Sequence, residues 1–141
     1  MVDFDKEVSE DVLARAKKIK CVVFDVDGVM TDGGLGIGDD GQEYKNFHSL
    51  DGLGMKFLKA SGVEMAIITG RTSKVVTKRA ETTGIAHFYQ GVENKLEAFN
   101  DLLQKMSFKR MKSLLWVTMW WMRPPCCVVA WRLLYQLVTD C

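Results

Sequence analysis

Apolar positions recur along this chain with two different periods, and the switches between them mark out the elements. From about Ser9 to Lys18 the spacing is helical, with Ser9 as a cap, acidic residues at the start and lysines at the end. Residues 19–26, IKCVVFDV, form a nearly continuous β-branched run, the pattern of a strand buried on both faces. Turn residues follow in DGVMTDGG. In LGIGDDGQEYKNF, Asp39-Asp40-Gly41 stands between short apolar or aromatic segments, which predicts a β-hairpin. A helix is predicted over residues 50–62, ending at Gly62. VEMAIIT reads as a second buried strand, GRTSKVVTKRAETTG as a helix ending at Gly84, and HFYQG as a short third strand. VENKLEAFNDLLQKM predicts an amphipathic helix with Leu96, Phe99, Leu102 and Leu103 on one face.

Strands alternating with helices of this length imply an α/β fold with a parallel sheet. Ligands bind such sheets at the carboxyl ends of the strands, so chemistry is expected just after Val26, just after Ile68 and near Gly91. A chain of 141 residues is one domain with enough length to bury a core. Its formal charge of +1, from 19 basic and 18 acidic residues spread along the chain, argues against a nucleic-acid or anionic-membrane partner. The first twenty residues contain no apolar signal region, so a cytoplasmic location is expected. Of the four cysteines, three (Cys126, Cys127 and Cys141) crowd into the last stretch and only Cys21 lies in the regular part. No disulfide framework is readable.

Asp25 and Asp27 end the first strand, two residues apart and therefore on one face. Gly28 lets the backbone turn sharply there. Two carboxylates this close need a cation or a shared proton, and Mg²⁺ accepts carboxylate oxygens together with a substrate phosphate. One carboxylate can attack phosphorus while the other carries protons. The plain alternative is a solvated Asp-x-Asp-Gly turn. Thr69-Gly70-Arg71 follows the second strand, where a hydroxyl and backbone N–H groups suit phosphate oxygens; the alternative for Thr69 is a helix N-cap. Lys95 follows the third strand, placed to screen phosphate and carboxylate charge; the alternative is a solvated helix lysine.

The order DVDGVMTD, then ITGR, then Lys95 resembles the first three motifs of the haloacid dehalogenase superfamily. It is similar in particular to the capless branch that acts on 3-deoxy-D-manno-octulosonate 8-phosphate. That branch has Thr31-Asp32-Gly33 after the first motif, then the hairpin, then the FHSLDGLG segment from Phe47 to Gly54. The resemblance covers about Lys20 to Met106. It implies a Rossmann-like three-layer domain with a β-hairpin inserted after the first strand. It implies Mg²⁺-dependent hydrolysis of a sugar-acid phosphomonoester through an aspartyl-phosphate, on the route to lipopolysaccharide, with a nine-carbon acylneuraminate phosphate as the alternative substrate. Asp25 would be nucleophile and metal ligand. Asp27 would be general acid/base, with its carbonyl on the metal. Thr69 and Gly70 would bind phosphate, and Lys95 would stabilise the transition state. Thr31, Asp32, Arg71, His48 and Asp51 join the substrate-binding set, although His48 reads equally well as a half-buried structural histidine. For a chain with an intact C-terminus a homotetramer is implied, with one subunit's hairpin reaching its neighbour's site.

The resemblance stops at Met106. The family's fourth motif, a G-D-D-x-x-D loop that completes the Mg²⁺ shell, is missing from residues 107–141, which hold all four tryptophans and a single carboxylate, Asp140. Neither helical nor strand period is evident there. An apolar anchor does not fit, because Arg123, Pro124 and Pro125 interrupt the run. Back-translation offers an explanation. Read from the third base of the Trp116 codon, the codons for Trp116 to Arg123 permit G-D-D-V-V-D-A, with the glycine, both valines and the last aspartate forced by the code. The division expected is therefore an incomplete phosphatase core over 1–106 and an out-of-frame tail over 107–141. A catalytically dead remnant and a misfolded product are the rival outcomes.

Overall fold

The computed structural model describes residues 10–106 and 114–117. Helix α1 spans Glu10–Ala16, with Glu10 and Asp11 in its first turn and Arg15 in its last, matching the helix dipole. Its expected cap, Ser9, lies outside the described residues. Strand β1, Cys21–Phe24, is buried along its whole length, as its unbroken apolar sequence requires. The hairpin follows as β2 (Gly36–Ile37) and β3 (Glu43–Tyr44), paired antiparallel. Its turn closes through Gly38 N–H to Gln42 O and an Asp40 carboxylate accepting from Gln42 N–H. Then come α2 (Ser49–Ala60), β4 (Glu64–Ile68), α3 (Lys74–Thr83), β5 (His87–Tyr89), α4 (Lys95–Lys105) and β6 (Leu114–Val117).

The main sheet has the order β5-β4-β1-β6, and its pairings are all parallel. From β1 the chain builds β4 and β5 on one flank and returns to place β6 on the other. The strand order thus reverses at β1, which makes the carboxyl end of β1 the switch point where such sheets bind ligands.

Side chains alternate along β1 and β4, and the core divides accordingly. Val22, Phe24, Met65 and Ile67 face one way and pack with Met55 and Leu58 of α2 and Val76 and Ala80 of α3. Cys21, Val23, Ala66 and Ile68 face the other way and pack with Ala98, Phe99 and Leu102 of α4. This is the three-layer α/β domain expected, with the sheet between α2 and α3 on one side and α4 on the other. Burial pushes the Cys21 thiol up to about 12, so it is an inert core residue.

The elements differ from the sequence-based reading in three places. Helix α3 begins at Lys74 rather than Gly70, because residues 70–73 form a loop whose Ser73 N–H is taken by the Gln90 side chain at 2.7 Å. Leu96 is 64% exposed and lies off the buried stripe of α4, which runs through Ala98, Phe99 and Leu102. Two residues from Ala98, it sits on the opposite side of a helix that turns about 100° per residue. Finally, Leu114–Val117 forms a strand within the stretch expected to carry no strand period. It pairs with β1 from Cys21↔Leu114 to Phe24↔Val117. The open flank of a central strand presents unpaired N–H and C=O groups, and a short apolar segment with Trp and Val satisfies them. The rest of the 107–141 tail lies outside the described residues.

Leu102 is fully buried, so Leu102→Ala should cost about 2–5 kcal/mol of unfolding free energy in a denaturant titration. Leu96→Ala in the same helix should change it by no more than about 0.5 kcal/mol.

Candidate active site

The site forms where β1 ends. Phe24, its last residue, pairs with Ile67, so Asp25 and Thr69 leave neighbouring strands at the same end of the sheet. Beyond Asp25 the backbone tightens into a turn in which the N–H groups of Val29, Met30 and Thr31 all reach Val26 O. Gly28 makes this possible, with φ of 76°, in the left-handed region that a side chain disfavours. Thr31 ties the turn together. Its hydroxyl accepts from Gly28 N–H at 3.3 Å and Gly33 N–H at 3.2 Å, and donates to Val26 O at 3.4 Å. That engages its full hydrogen-bonding capacity, so the structure gives Thr31 the task of shaping the loop. Asp32 is exposed and closes a local turn by accepting from Gly34 N–H.

Asp25 is nearly buried, with a side chain 13% exposed. One carboxylate oxygen accepts from Val26 N–H at 2.8 Å, and the other takes the Lys95 ammonium, which arrives from seventy residues further along the chain. The placement of Lys95 follows from local structure. Thr69 N–H donates to Tyr89 O and Val92 N–H to Thr69 O, which binds the exit of β5 to the exit of β4. Asn94 then caps α4 by accepting from Leu96 N–H, and Lys95 is the first helical residue. Thr69 is itself 1% exposed and lies five residues ahead of α3, so it is not that helix's N-cap. Gly70 beside it is exposed.

Asp27 is held by a different cation. Lys45, just past β3, places its ammonium 2.5 Å from Asp27 Oδ1 and 3.1 Å from Glu43 Oε1, and its side chain is only 1% exposed. Burial alone would lower the Lys45 pKa, but the hydrogen bonds it donates to Asp27 and Glu43 outweigh this and the net shift is upward. Arg71 completes the group, with Nη2 3.4 Å from Glu43 Oε1 and Nε 4.0 Å from Asp27 Oδ2. Glu43 is held below the usual carboxylate range, first by the nearby Ser73 hydroxyl and then by Lys45. Two acids and two bases alternate here, so the ring is electrically neutral. Neither Lys45 nor Glu43 stands out in the sequence, since each looks like a solvated hairpin residue.

His48 and Asp51 serve the start of α2. His48 is exposed rather than half-buried, and its Nδ1 caps the helix by accepting from Leu50 N–H at 3.2 Å. Burial raises the Asp51 pKa, with His48 and Arg79 opposing the shift. Arg79 of α3 donates to His48 O at 2.9 Å and lies 5.2 Å from the centre of the Phe47 ring. A Cβ on Gly52, in the first turn of α2, would come within 2.9 Å of the Arg79 guanidinium and would displace the tip of that side chain. Gln90, another residue the sequence reading passed over, bridges Ser73 N–H and the Thr77 hydroxyl and so fixes the loop after Thr69.

The donors at β1 suit a hard cation. Asp25 would supply a carboxylate oxygen and Asp27 its carbonyl, and Mg²⁺ binds through one or two carboxylates while keeping water and taking substrate phosphate. Among the described residues no group of three or more His, Cys, Asp or Glu is placed to hold a metal by itself.

No family model matches the chain. It is 49% identical over 100 residues to KdsC, the 3-deoxy-D-manno-octulosonate 8-phosphate phosphatase of Escherichia coli, covering 71% of this chain and 53% of that protein. The Yersinia pestis protein of the same name is 47% identical over 96 residues, covering 68% of this chain and 51% of the relative. The chain thus spans about half the length of the curated relatives it matches. The Yersinia pestis crystal structure superposes with a TM-score of 0.75 at 40% identity, covering 79% of this chain and 60% of that one. The Moraxella catarrhalis phosphatase, solved with magnesium ion, phosphate ion and a KDO molecule, gives 0.74 at 38% identity, covering 79% and 63%. In fold and sequence the chain is similar to proteins of the haloacid dehalogenase superfamily. Within that superfamily it is a KdsC-like protein.

Removing the Thr31 hydroxyl leaves two loop N–H groups without an acceptor. Thr31→Val should lower stability by about 1–3 kcal/mol, read by chemical denaturation, whereas Asp32→Asn should cost far less. Asp51 carries a raised pKa, so its contribution to stability is full below the usual carboxylate range and is lost as pH rises through the raised value. Asp51→Asn should therefore melt at a higher temperature than the parent at neutral pH, and the gap should close in acid.

Proposed function

We propose that the chain carries the site of a Mg²⁺-dependent phosphomonoesterase acting on 3-deoxy-D-manno-octulosonate 8-phosphate. The observation that carries this reading is Asp25, nearly buried at the switch point of the sheet and paired with Lys95 beside the Thr69-Gly70 loop. Asp25 attacks phosphorus and becomes an aspartyl-phosphate. Lys95, already within reach of that carboxylate, stabilises the charge that develops on the phosphoryl oxygens. Thr69 and Gly70 hold the phosphate at the adjacent strand end. Asp27 protonates the departing sugar oxygen and then takes a proton from the water that cleaves the intermediate. Mg²⁺, when bound, neutralises the carboxylate and phosphate charges that would otherwise repel the nucleophile from its target.

The sugar-acid substrate is supported by the likeness to KdsC and by the KDO molecule in the Moraxella catarrhalis protein. Arg71, half exposed at the rim, suits its carboxylate, and His48, exposed, and Asp51, partly buried, stand together at the start of α2. The lipopolysaccharide route and a cytoplasmic location belong to the same reading; among the described residues no helix is long and apolar enough to cross a membrane. So does a homotetramer, which is supported by the apolar side chains left exposed on the hairpin (Leu35, Ile37, Tyr44) and on α2 (Leu50, Leu53, Phe57).

A frame change between about Met106 and Met111 completes the proposal and favours a second reading, a chain that folds without turning over. β6 ends at Val117 opposite Phe24, one residue before Asp25 on the neighbouring strand. The acidic string spelled by the shifted frame begins within the Trp116 codon, at the end of that strand.

Phosphate release from 3-deoxy-D-manno-octulosonate 8-phosphate, with Mg²⁺ and with EDTA, tests both readings. Restoring the frame should produce Mg²⁺-dependent release, Asp25→Asn should abolish it, and Asp27→Asn should lower kcat about 10²–10⁴-fold. A folded, frame-restored protein that stays inert would overturn the phosphatase reading. Release by the 141-residue chain itself would overturn the second reading.

A further inference from the structure

Asp25 and Asp27 are chemically identical and two residues apart, yet the proposed function asks different things of them. A cation at the end of β1 would attract both carboxylates, and a carboxylate bound to a metal carries protons poorly. Something must divide the labour. The two side chains are held by different lysines: Asp25 by Lys95 at the start of α4, and Asp27 by Lys45 at the end of the hairpin. Lys45 is the more firmly seated, its side chain 1% exposed against 33% for Lys95. The same ammonium lies 3.1 Å from Glu43 Oε1, and Arg71 balances the remaining charge on Glu43 and Asp27. A buried lysine between two carboxylates is a rigid fixture, since its release would leave buried charges unpaired.

We propose that Lys45 is a positioning residue: seated by Glu43, its ammonium draws the Asp27 carboxylate away from the cation position, leaving Asp25 alone to offer a carboxylate to the metal and Asp27 to carry the proton. The hairpin thereby contributes to chemistry in its own subunit. This inference rests on the phosphatase reading for its consequence in turnover, but the division of the carboxylates is measurable without turnover.

The activity-independent test is Mn²⁺ binding by calorimetry to the 141-residue chain. In Lys45→Met the Asp27 carboxylate is released and can join Asp25, so Mn²⁺ affinity should rise several-fold. The gain should vanish in the double variant Lys45→Met/Asp27→Asn. Unchanged affinity in Lys45→Met, or a gain that persists in the double variant, would refute the assignment. Glu43→Gln serves if Lys45→Met does not fold; it removes one anchor of the ammonium and should move the affinity the same way by less. In protein that turns over, the readout is leaving-group dependence. 4-Nitrophenolate leaves without needing a proton, whereas a sugar alkoxide needs one. The ratio of kcat on 3-deoxy-D-manno-octulosonate 8-phosphate to kcat on 4-nitrophenyl phosphate should fall about tenfold in Lys45→Met with KM unaltered, a fraction of what general acid catalysis supplies. An equal loss on both esters would mark Lys45 as merely structural. An inert parent chain would support the second reading, a fold without turnover; an inert frame-restored protein would count against the phosphatase reading; and in either case the Mn²⁺ comparison would still decide the role of Lys45.

Discussion

Negative charge at the end of β1 is the constraint around which the rest of this structure is arranged. Asp25 and Asp27 leave the sheet two residues apart and largely shielded from water, where mutual repulsion is poorly screened. The fold answers with a lysine for each, drawn from elements far apart in sequence. Lys95 requires the β5 exit to be tied to Thr69 and α4 to begin at that point. Lys45 requires the hairpin to fold back over the loop after β1, with Glu43 and Arg71 balancing the added charge. Turns, caps and strand ends that look independent are fixed by one electrostatic requirement.

The pattern of apolar residues was enough to place the layers, because each period switch coincides with a real element. It located Asp25, Thr69 and Lys95 for the same reason: each follows a buried strand, and the carboxyl ends of parallel strands share one edge. What escaped was set by tertiary contact. β3 is two residues long and has no period to read, so Lys45 and Glu43 looked like solvated hairpin residues until the fold brought Asp27 to them. Gln90 was silent because its partners lie elsewhere in the chain, Ser73 in the loop before α3 and Thr77 within that helix. Thr31 carried a motif signature that pointed to substrate, while its hydroxyl is spent on the backbone of its own loop. Leu96 was misjudged by phase, since Ala98 rather than a larger residue marks the buried face of α4.

The strand at the far flank of β1 shows how little a sheet demands of an added edge. Four apolar residues, Leu114–Val117, complete the parallel ladder although the sequence around them departs from the pattern of the preceding core. Backbone pairing is largely indifferent to which side chains the strand carries. Catalytic chemistry is not, because the carboxylates of a metal shell must be present by name. A chain of this kind can therefore retain its architecture and lose its reaction at the same boundary.

The two faces of the sheet are unequally buttressed. Among the described residues, Val22, Phe24 and their neighbours lock α2 and α3 into the larger cluster, while α4 rests on a smaller one built around Ala98, Phe99 and Leu102. Lys95 is the first residue of α4, so its position depends on how that helix is seated on the sheet. Any displacement of α4 therefore shifts the ammonium that Asp25 accepts from, while the one that Asp27 accepts from is set by the hairpin, so the two carboxylates answer to different parts of the molecule.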